Sequence, residues 1–234
     1  MFGLNQEQID EVGNITRIVA RDWRQLLAGS EGFLTGRGRA GCEGREVVWG
    51  EMGHVNNVTY VRYAESARIN WAQNFANHID PKHKKEWSEL WTPKGDGLIL
   101  RSMKTDYKFV HEYSKRTTLP TPMAWPDRIS VYHKLRAAPT ATTDSFILDV
   151  LILSERYQRP AARCVEDIVV YDYRRGVKSP LRNFMMEKLG ETFELQEQSR
   201  IRNERRVRDL LQRVQRLEKQ VWDRPDAVED MGSA

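Results

Sequence analysis

The stretch VVWGEMGHVNNVTYVRYAESARINW, Val47 to Trp71, changes character halfway along. It opens on β-branched and aromatic residues, as a strand does. Gly53 then permits a turn that residues with a Cβ resist, and beyond it the apolar spacing becomes helical nearly all round. The reading is a strand, an elbow and a buried helix. Asn56 or Asn57 suits the N-cap, because its side-chain oxygen accepts from an early helical N–H. Helix starts present free N–H groups and partial positive charge, so a carbonyl oxygen could be polarised at this elbow and a developing oxyanion stabilised. Asn-capped helices after glycine turns also occur as plain structure.

Upstream of the helix, a short strand is expected over Arg45 to Trp49. Before that, Ile9, Val12, Ile15, Val19, Trp23, Leu26 and Leu27 form one stripe, which predicts an amphipathic helix over Gln6 to Leu27 that ends at Gly29 and docks on the core. GSEGFLTGRGRAGCEG has loop chemistry; its GxG, Gly36 and Gly38, lacks the preceding strand and the third glycine of a phosphate site. Downstream, a mixed loop is expected from His78 to Gly97, then four strands: Leu98 to Phe109, Arg128 to Ala137, Ser145 to Arg156 and Ala162 to Tyr173. One strand, one long helix and four strands make an α+β pattern, not a doubly wound parallel sheet. Short connections suit an antiparallel sheet wrapped over the helix, and its exposed edges predict a homodimer or higher homo-oligomer.

Beyond Pro180 lies a charged helix whose Val207, Leu210, Val214, Leu217 and Val221 follow a 3,4 spacing. Two heptads fit either a short dimer contact or a helix lying on the body. Three regions result: residues 1–43 (helix and Gly-rich loop), 44–180 (the main domain) and 181–234 (charged helix and tail).

Composition narrows the function. Of 234 residues, 30% are charged, and the net charge is only +4 because 33 acids nearly balance 37 Lys and Arg. The Arg residues from Arg200 to Arg216 alternate with Glu204 and Asp209, a solvated face rather than a nucleic-acid patch. No apolar run reaches the roughly 18 residues of a membrane span, and the start resembles neither a signal peptide nor a mitochondrial presequence. Cys42 and Cys164 form no CxxC and fit a reducing compartment, cytoplasmic or mitochondrial, and metal binding by Cys is not expected, nor is a cofactor. The sequons at Asn14 and Asn57 are then chance. His78, His83, His111 and His133 have no ligand spacing and read as solvent or loop residues.

GHVNNVTYVRYAESAR, Gly53 to Arg68, closely resembles the G-H-V-N-N-x-x-Y-x-x-[YF]-x-E-x-A-R signature of hot-dog fold acyl-CoA thioesterases of the 4-hydroxybenzoyl-CoA thioesterase type. The pattern of Asp106, Lys108 and Asp127 is similar too, and the helical extensions resemble those of fungal members. The resemblance implies a hot-dog fold, an acyl-CoA substrate with a fatty or aromatic acyl group, metal-free hydrolysis to acid and coenzyme A, a pocket at a dimer interface, and a carbonyl polarised at the start of the central helix. It suggests Gly53, Asn56, Val58 and Tyr60 as substrate-binding positions and His54 and Asn57 as catalytic ones.

Two departures stand out. The family's D-x-x-G-H-V-N-N places the catalytic aspartate three residues before the glycine; here Gly50 stands there. Glu51 is the nearest carboxylate, with a structural strand-end glutamate as the alternative. Glu65 is a second catalytic candidate, since related enzymes carry their carboxylate on the central helix, and its alternative is an i,i+3 ion pair with Arg68. The family also joins its strands briefly, as Y-K-F-P-M-x-W-P-D, whereas Val110 to Thr121 interpose VHEYSKRTTLPT. One loss and one gain in frame suggest misread intron boundaries, with a transcript restoring D-x-x and lacking the twelve residues. If the chain is silent, it is an acyl-binding or structural subunit of the same fold.

Overall fold

The computed structural model describes residues 4–36, 38–46, 55–93, 95–108, 123 and 125–221. Helix α1 spans Gln6–Leu27, with the Asn5 side chain accepting from the Gln8 N–H and the Gln8 side chain from the Asn5 N–H. A 3-10 turn, Gly29–Glu31, leads to β1, Cys42–Glu46. Helix α2, Asn57–Asn74, continues as a π-turn through Ile79. After α3, Lys84–Glu89, come β2, Asp96–Tyr107; β3, Arg128–Leu135; β4, Ser145–Ser154; β5, Arg159–Asp172; and the two-residue β6, Val177–Lys178. Helix α4 runs from Asn183 to Val221.

The strands form one antiparallel sheet, ordered β1-β3-β4-β5-β2 with β6 beside β5. Period-2 alternation divides its residues between two faces. Towards α2 point Ile129, Val131, Val150, Ile152 and Cys164, packed on Tyr60, Tyr63, Ala64 and Ala67. Further along that face Leu135, Phe146, Leu148 and Ile168 meet Trp71 and Phe75. On the opposite face Tyr132, Leu151 and Leu153 lie under Trp23, Ala28 and Phe33. The alanines let α2 sit low on the sheet, and at Gly41 an added Cβ would come within 2.6 Å of the Ala67 carbonyl oxygen.

Three expectations need correction. The helix is not buried all round: Arg62, Glu65, Ile69, Asn70 and Gln73 line an exposed face. The segment from His78 to Gly97 is not simply a loop, because α3 drives Trp87 into the core, where its ring stacks on Phe75 at 4.5 Å and its Nε1–H donates to buried Asp80 at 2.9 Å. And the last strand begins at Arg159, since the hairpin pairs Ser154 with Arg159 directly. Residues 47–50 fall outside the described residues, so the strand expected over Arg45 to Trp49 is described only as far as Glu46.

Helix α4 does three jobs along its 39 residues. Met185 and Leu189 enter the core beside Trp87 and Leu181. Thr192, Gln196, Ser199 and Asn203 then form a buried polar stripe against the Gly29–Gly32 turn. The Gln196 amide donates to the Leu135 carbonyl and accepts from the Leu135 N–H, both at 3.0 Å, closing the end of β3 as a neighbouring strand would. Gly32, at φ 91°, takes the left-handed conformation that favours glycine, and an added Cβ there would lie 3.3 Å from the Gln196 carbonyl oxygen.

The rest of α4 lies antiparallel along α1, with Leu210 and Leu217 on Ile15. Of the two outcomes open for the 3,4 stripe, the helix lies on the body. Arg206 pairs with Asp22 and Arg213 with Glu11. The Asp22 carboxyl, hydrogen-bonded first by Arg21 and also by Arg206 against the cost of burial, is lowered from 3.8 to about 2. Glu11 is lowered by Arg213. Depressed folded-state values mean that this stabilisation is complete above the ordinary carboxylate range and is lost as pH falls through it towards about 2. The α1–α4 contact is therefore expected to loosen between about pH 4 and pH 2. Hydrogen exchange of the α1 amides followed through an acid titration checks this, with Asp22→Asn as the control; protection unchanged to about pH 2 contradicts it.

Candidate active site

The described part of the elbow centres on the first turn of α2. Asn56, extended at φ −64° and ψ 143°, is the N-cap; its side chain accepts from the Val58 N–H at 2.9 Å, and its carbonyl from the Thr59 N–H at 2.9 Å. The Val55 N–H donates to the Met123 carbonyl at 2.8 Å, which ties the elbow to the segment leading into β3. Two early donors are thereby satisfied. Among the described residues the Asn57 N–H donates to none; Asn57 is exposed, and so is Val58, at 60%.

Tyr107, at the end of β2, braces the same turn: its hydroxyl donates to the Asn57 carbonyl at 3.2 Å, and its ring meets buried Tyr60 edge-on at 5.4 Å. Burial, more than the neighbouring Tyr63, Tyr107 and Asp127, raises the Tyr60 hydroxyl well above its usual value, so Tyr60 stays neutral and supplies an apolar wall with a polar edge. No motif in the sequence marks Tyr107 for this role; a long-range contact selects it.

Of the candidate residues, Asn56, Asn57, Val58 and Tyr60 therefore gather at one turn. Glu51, Gly53 and His54 lie outside the described residues, as does the insertion of Val110 to Thr121. Glu65 stands apart on the exposed face of α2, eight residues beyond Asn57, or about 12 Å along the axis at 1.5 Å per residue. Its expected partner Arg68 turns inward instead and bonds Glu166 on β5 at 2.6 Å. His133 is neither a loop nor a solvent residue: it is buried on β3 with Nε2 3.6 Å from the Glu166 carboxylate. Arg68, Glu166 and His133 thus form a polar layer across the core, between the cluster around Tyr60 and the one around Trp71.

Asp127 is buried but committed, accepting from the Arg128 N–H at 2.6 Å, the Arg156 N–H at 3.0 Å and the Ser154 hydroxyl at 2.6 Å. That bonding anchors the start of β3 and removes Asp127 as a base. Asp106 and Lys108 form an ion pair at the exposed end of β2. No described helix is long and apolar enough to cross a membrane.

An antiparallel sheet wrapped over a long helix whose capped start opens outward defines an α+β protein of the hot-dog fold. The chain belongs to the thioesterase-like superfamily, whose family model matches residues 47–189. It is similar to a Thermus thermophilus thioesterase solved with coenzyme A and zinc, at 21% identity over 60% of this chain and 86% of that one, TM-score 0.41. It is also similar to a 1,4-dihydroxy-2-naphthoyl-CoA thioesterase from Synechocystis, at 16% identity over 61% and 90%, TM-score 0.44, and to a DHNA-CoA thioesterase from Staphylococcus aureus, at 12% identity over 64% and 85%, TM-score 0.43. No curated protein matches the chain.

Proposed function

We propose that this protein binds a fatty or aromatic acyl-CoA at the start of α2 and hydrolyses its thioester to the free acid and coenzyme A. The observation that supports the reading is the Asn57 N–H, which donates to no described residue at an exposed helix start whose next two donors are already satisfied. A thioester carbonyl accepting from it would be polarised by the bond and by the helix dipole, and the charge that develops on attack would be held there. Val58 and Tyr60 would bound the acyl group. Glu65 is too far along the axis to serve a carbonyl bound at its own helix start, and Glu51, the elbow carboxylate, is the group proposed to attack or to take a proton from water. His54 would orient the substrate from the elbow.

Thiol release from short, long and aromatic acyl-CoAs tests this. Turnover is expected in the native chain and is expected to fall at least about 10²-fold in Glu51→Gln. Unchanged turnover in that variant would exclude Glu51. A second reading, a silent acyl-CoA-binding subunit, is favoured by one observation, Gly50 at the family's aspartate position; activity appearing only when an Asp-x-x triplet is placed before Gly53 would establish it.

The same reading includes a homodimer. Strand β2, twelve residues long, pairs only with the strand β5 among the described residues, and beyond Leu98, whose N–H donates to the Leu90 carbonyl, no described strand covers its other edge. An edge of that length is a template for a second copy. Light scattering is expected to give twice the 27.3 kDa chain mass, and a monomer at micromolar concentration would contradict it.

A further inference from the structure

Helix α4 carries a second stripe, on the side turned away from α1. Asn203, Leu210, Leu217 and Val221 are buried and mark its inner side. Ile201, Arg205, Arg208, Gln212, Gln215 and Lys219 follow one another at four- and three-residue spacing, and all six are exposed. Ile201, Arg208, Gln212, Gln215 and Lys219 each stand two residues from a buried one, about 200° round the helix. At 1.5 Å per residue the stripe is about 27 Å long.

Along the chain, acids alternate with these arginines; round the helix they do not share the stripe. Glu204, Asp209 and Glu218 each lie one residue off it, about 100° round, and Glu204 is held by Arg200 at 3.0 Å. The arginines that bind α1 are different ones, Arg206 with Asp22 and Arg213 with Glu11. Arg205, Arg208 and Lys219 make no ion pair or hydrogen bond with a described residue. Arg202 and Arg216, both exposed, flank them. The outer face of α4 is thus a ridge of cations that nothing in the described fold neutralises.

The shape and company of these cations decide what they fit. The ridge is convex and straight, and none of its six residues is an aromatic on which a base could stack. The large side chains it does expose are aliphatic: Ile201, 49% exposed, on the stripe and Leu211, 56% exposed, beside it. A helix face with cations and aliphatic groups side by side matches an anionic lipid surface, which offers a plane of negative charge with apolar chains beneath. No described helix can cross a membrane, so such a contact is peripheral.

We infer that the outer face of α4 docks this protein on an anionic lipid surface through Arg205, Arg208 and Lys219. The inference is independent of the acyl-CoA reading, since none of these residues belongs to the first turn of α2. Flotation of the full chain with vesicles tests it without any turnover. The protein is expected to float with phosphatidylcholine vesicles that contain phosphatidylserine, to be released from them as salt rises, and to ignore phosphatidylcholine alone. Each basic residue near such a surface strengthens binding about fivefold, so combined Arg205→Gln, Arg208→Gln and Lys219→Gln is expected to weaken it about 10²-fold.

The three side chains are exposed and unpaired, so the melting temperature of the triple variant should match the native one. If the triple variant fails to fold, Arg208→Gln alone is expected to lose about fivefold. Absence of flotation with anionic vesicles, equal flotation with neutral ones, or binding undiminished in the variants would overturn the inference. So would tighter binding to a duplex oligonucleotide or to polyglutamate than to anionic vesicles at the same salt, which would give the ridge to a nucleic acid or an acidic protein instead.

Discussion

Asn57→Pro is expected to lower turnover about 10²- to 10³-fold while leaving the fold in place, the size of effect seen when one oxyanion donor is removed. Proline is well accommodated at the first helical position, which is where Asn57 stands in α2. The preceding residue must then be extended, and Asn56 already is, at φ −64° and ψ 143°. The Asn56 side chain still caps Val58, and the carbonyl of residue 57 still accepts from Tyr107. The Asn57 N–H is lost, together with the Asn57 side chain. Asn57→Ala keeps that donor and should lose far less, so the pair of variants separates the backbone from the side chain. Steady-state thiol release is the measurement. A proline variant as active as the native chain would mean that the carbonyl is held elsewhere.

Glu166→Leu should be the most damaging single change in the core. It leaves the Arg68 guanidinium, 8% exposed, without the carboxylate it bonds at 2.6 Å. Breaking one side of a buried pair costs about 3–5 kcal/mol, whereas replacing both sides with apolar residues is often neutral or better. For a chain of this size that is a fall in Tm of roughly 10 °C. Arg68→Met added to Glu166→Leu should recover most of the loss, and urea melts of the two single variants and the double variant give the coupling. A double variant no better than the worse single one would show that the layer is held by His133 and not by the ion pair.

These two tests fall on opposite sides of what the sequence makes visible. The helix start at Asn56 is legible because capping is local: one side chain reaches a donor two residues on. The same holds for α1, whose stripe lies within its own 22 residues and whose capping residue, Asn5, directly precedes them. Arg68 was not legible. Local spacing offers Glu65 three residues earlier, but the carboxylate that takes the guanidinium is 98 residues away on β5, and only the sheet order brings it there.

His133 carried a usable signal. In RISVYHKL it alternates with Ile129, Val131 and Leu135, the positions that face α2, and reading histidines by ligand spacing passes over that phase. The polar stripe of α4 carried none. Thr192, Gln196, Ser199 and Asn203 are residues of a solvated face until a turn from the other end of the chain is laid against them.

That stripe reaches beyond the site. Gln196 satisfies both backbone groups of Leu135, a residue inside the stretch matched by the family model, while Gln196 itself lies outside it. Asn203 and Gln196 in turn need Gly29 and Gly32 close enough to exclude water. The two ends of the chain are therefore one another's lining: a version trimmed to the shared family core would lose the whole stripe and leave the Leu135 N–H and carbonyl without the Gln196 amide that closes them. The helical ends are thus coupled: removing either one is expected to uncover polar groups on the other.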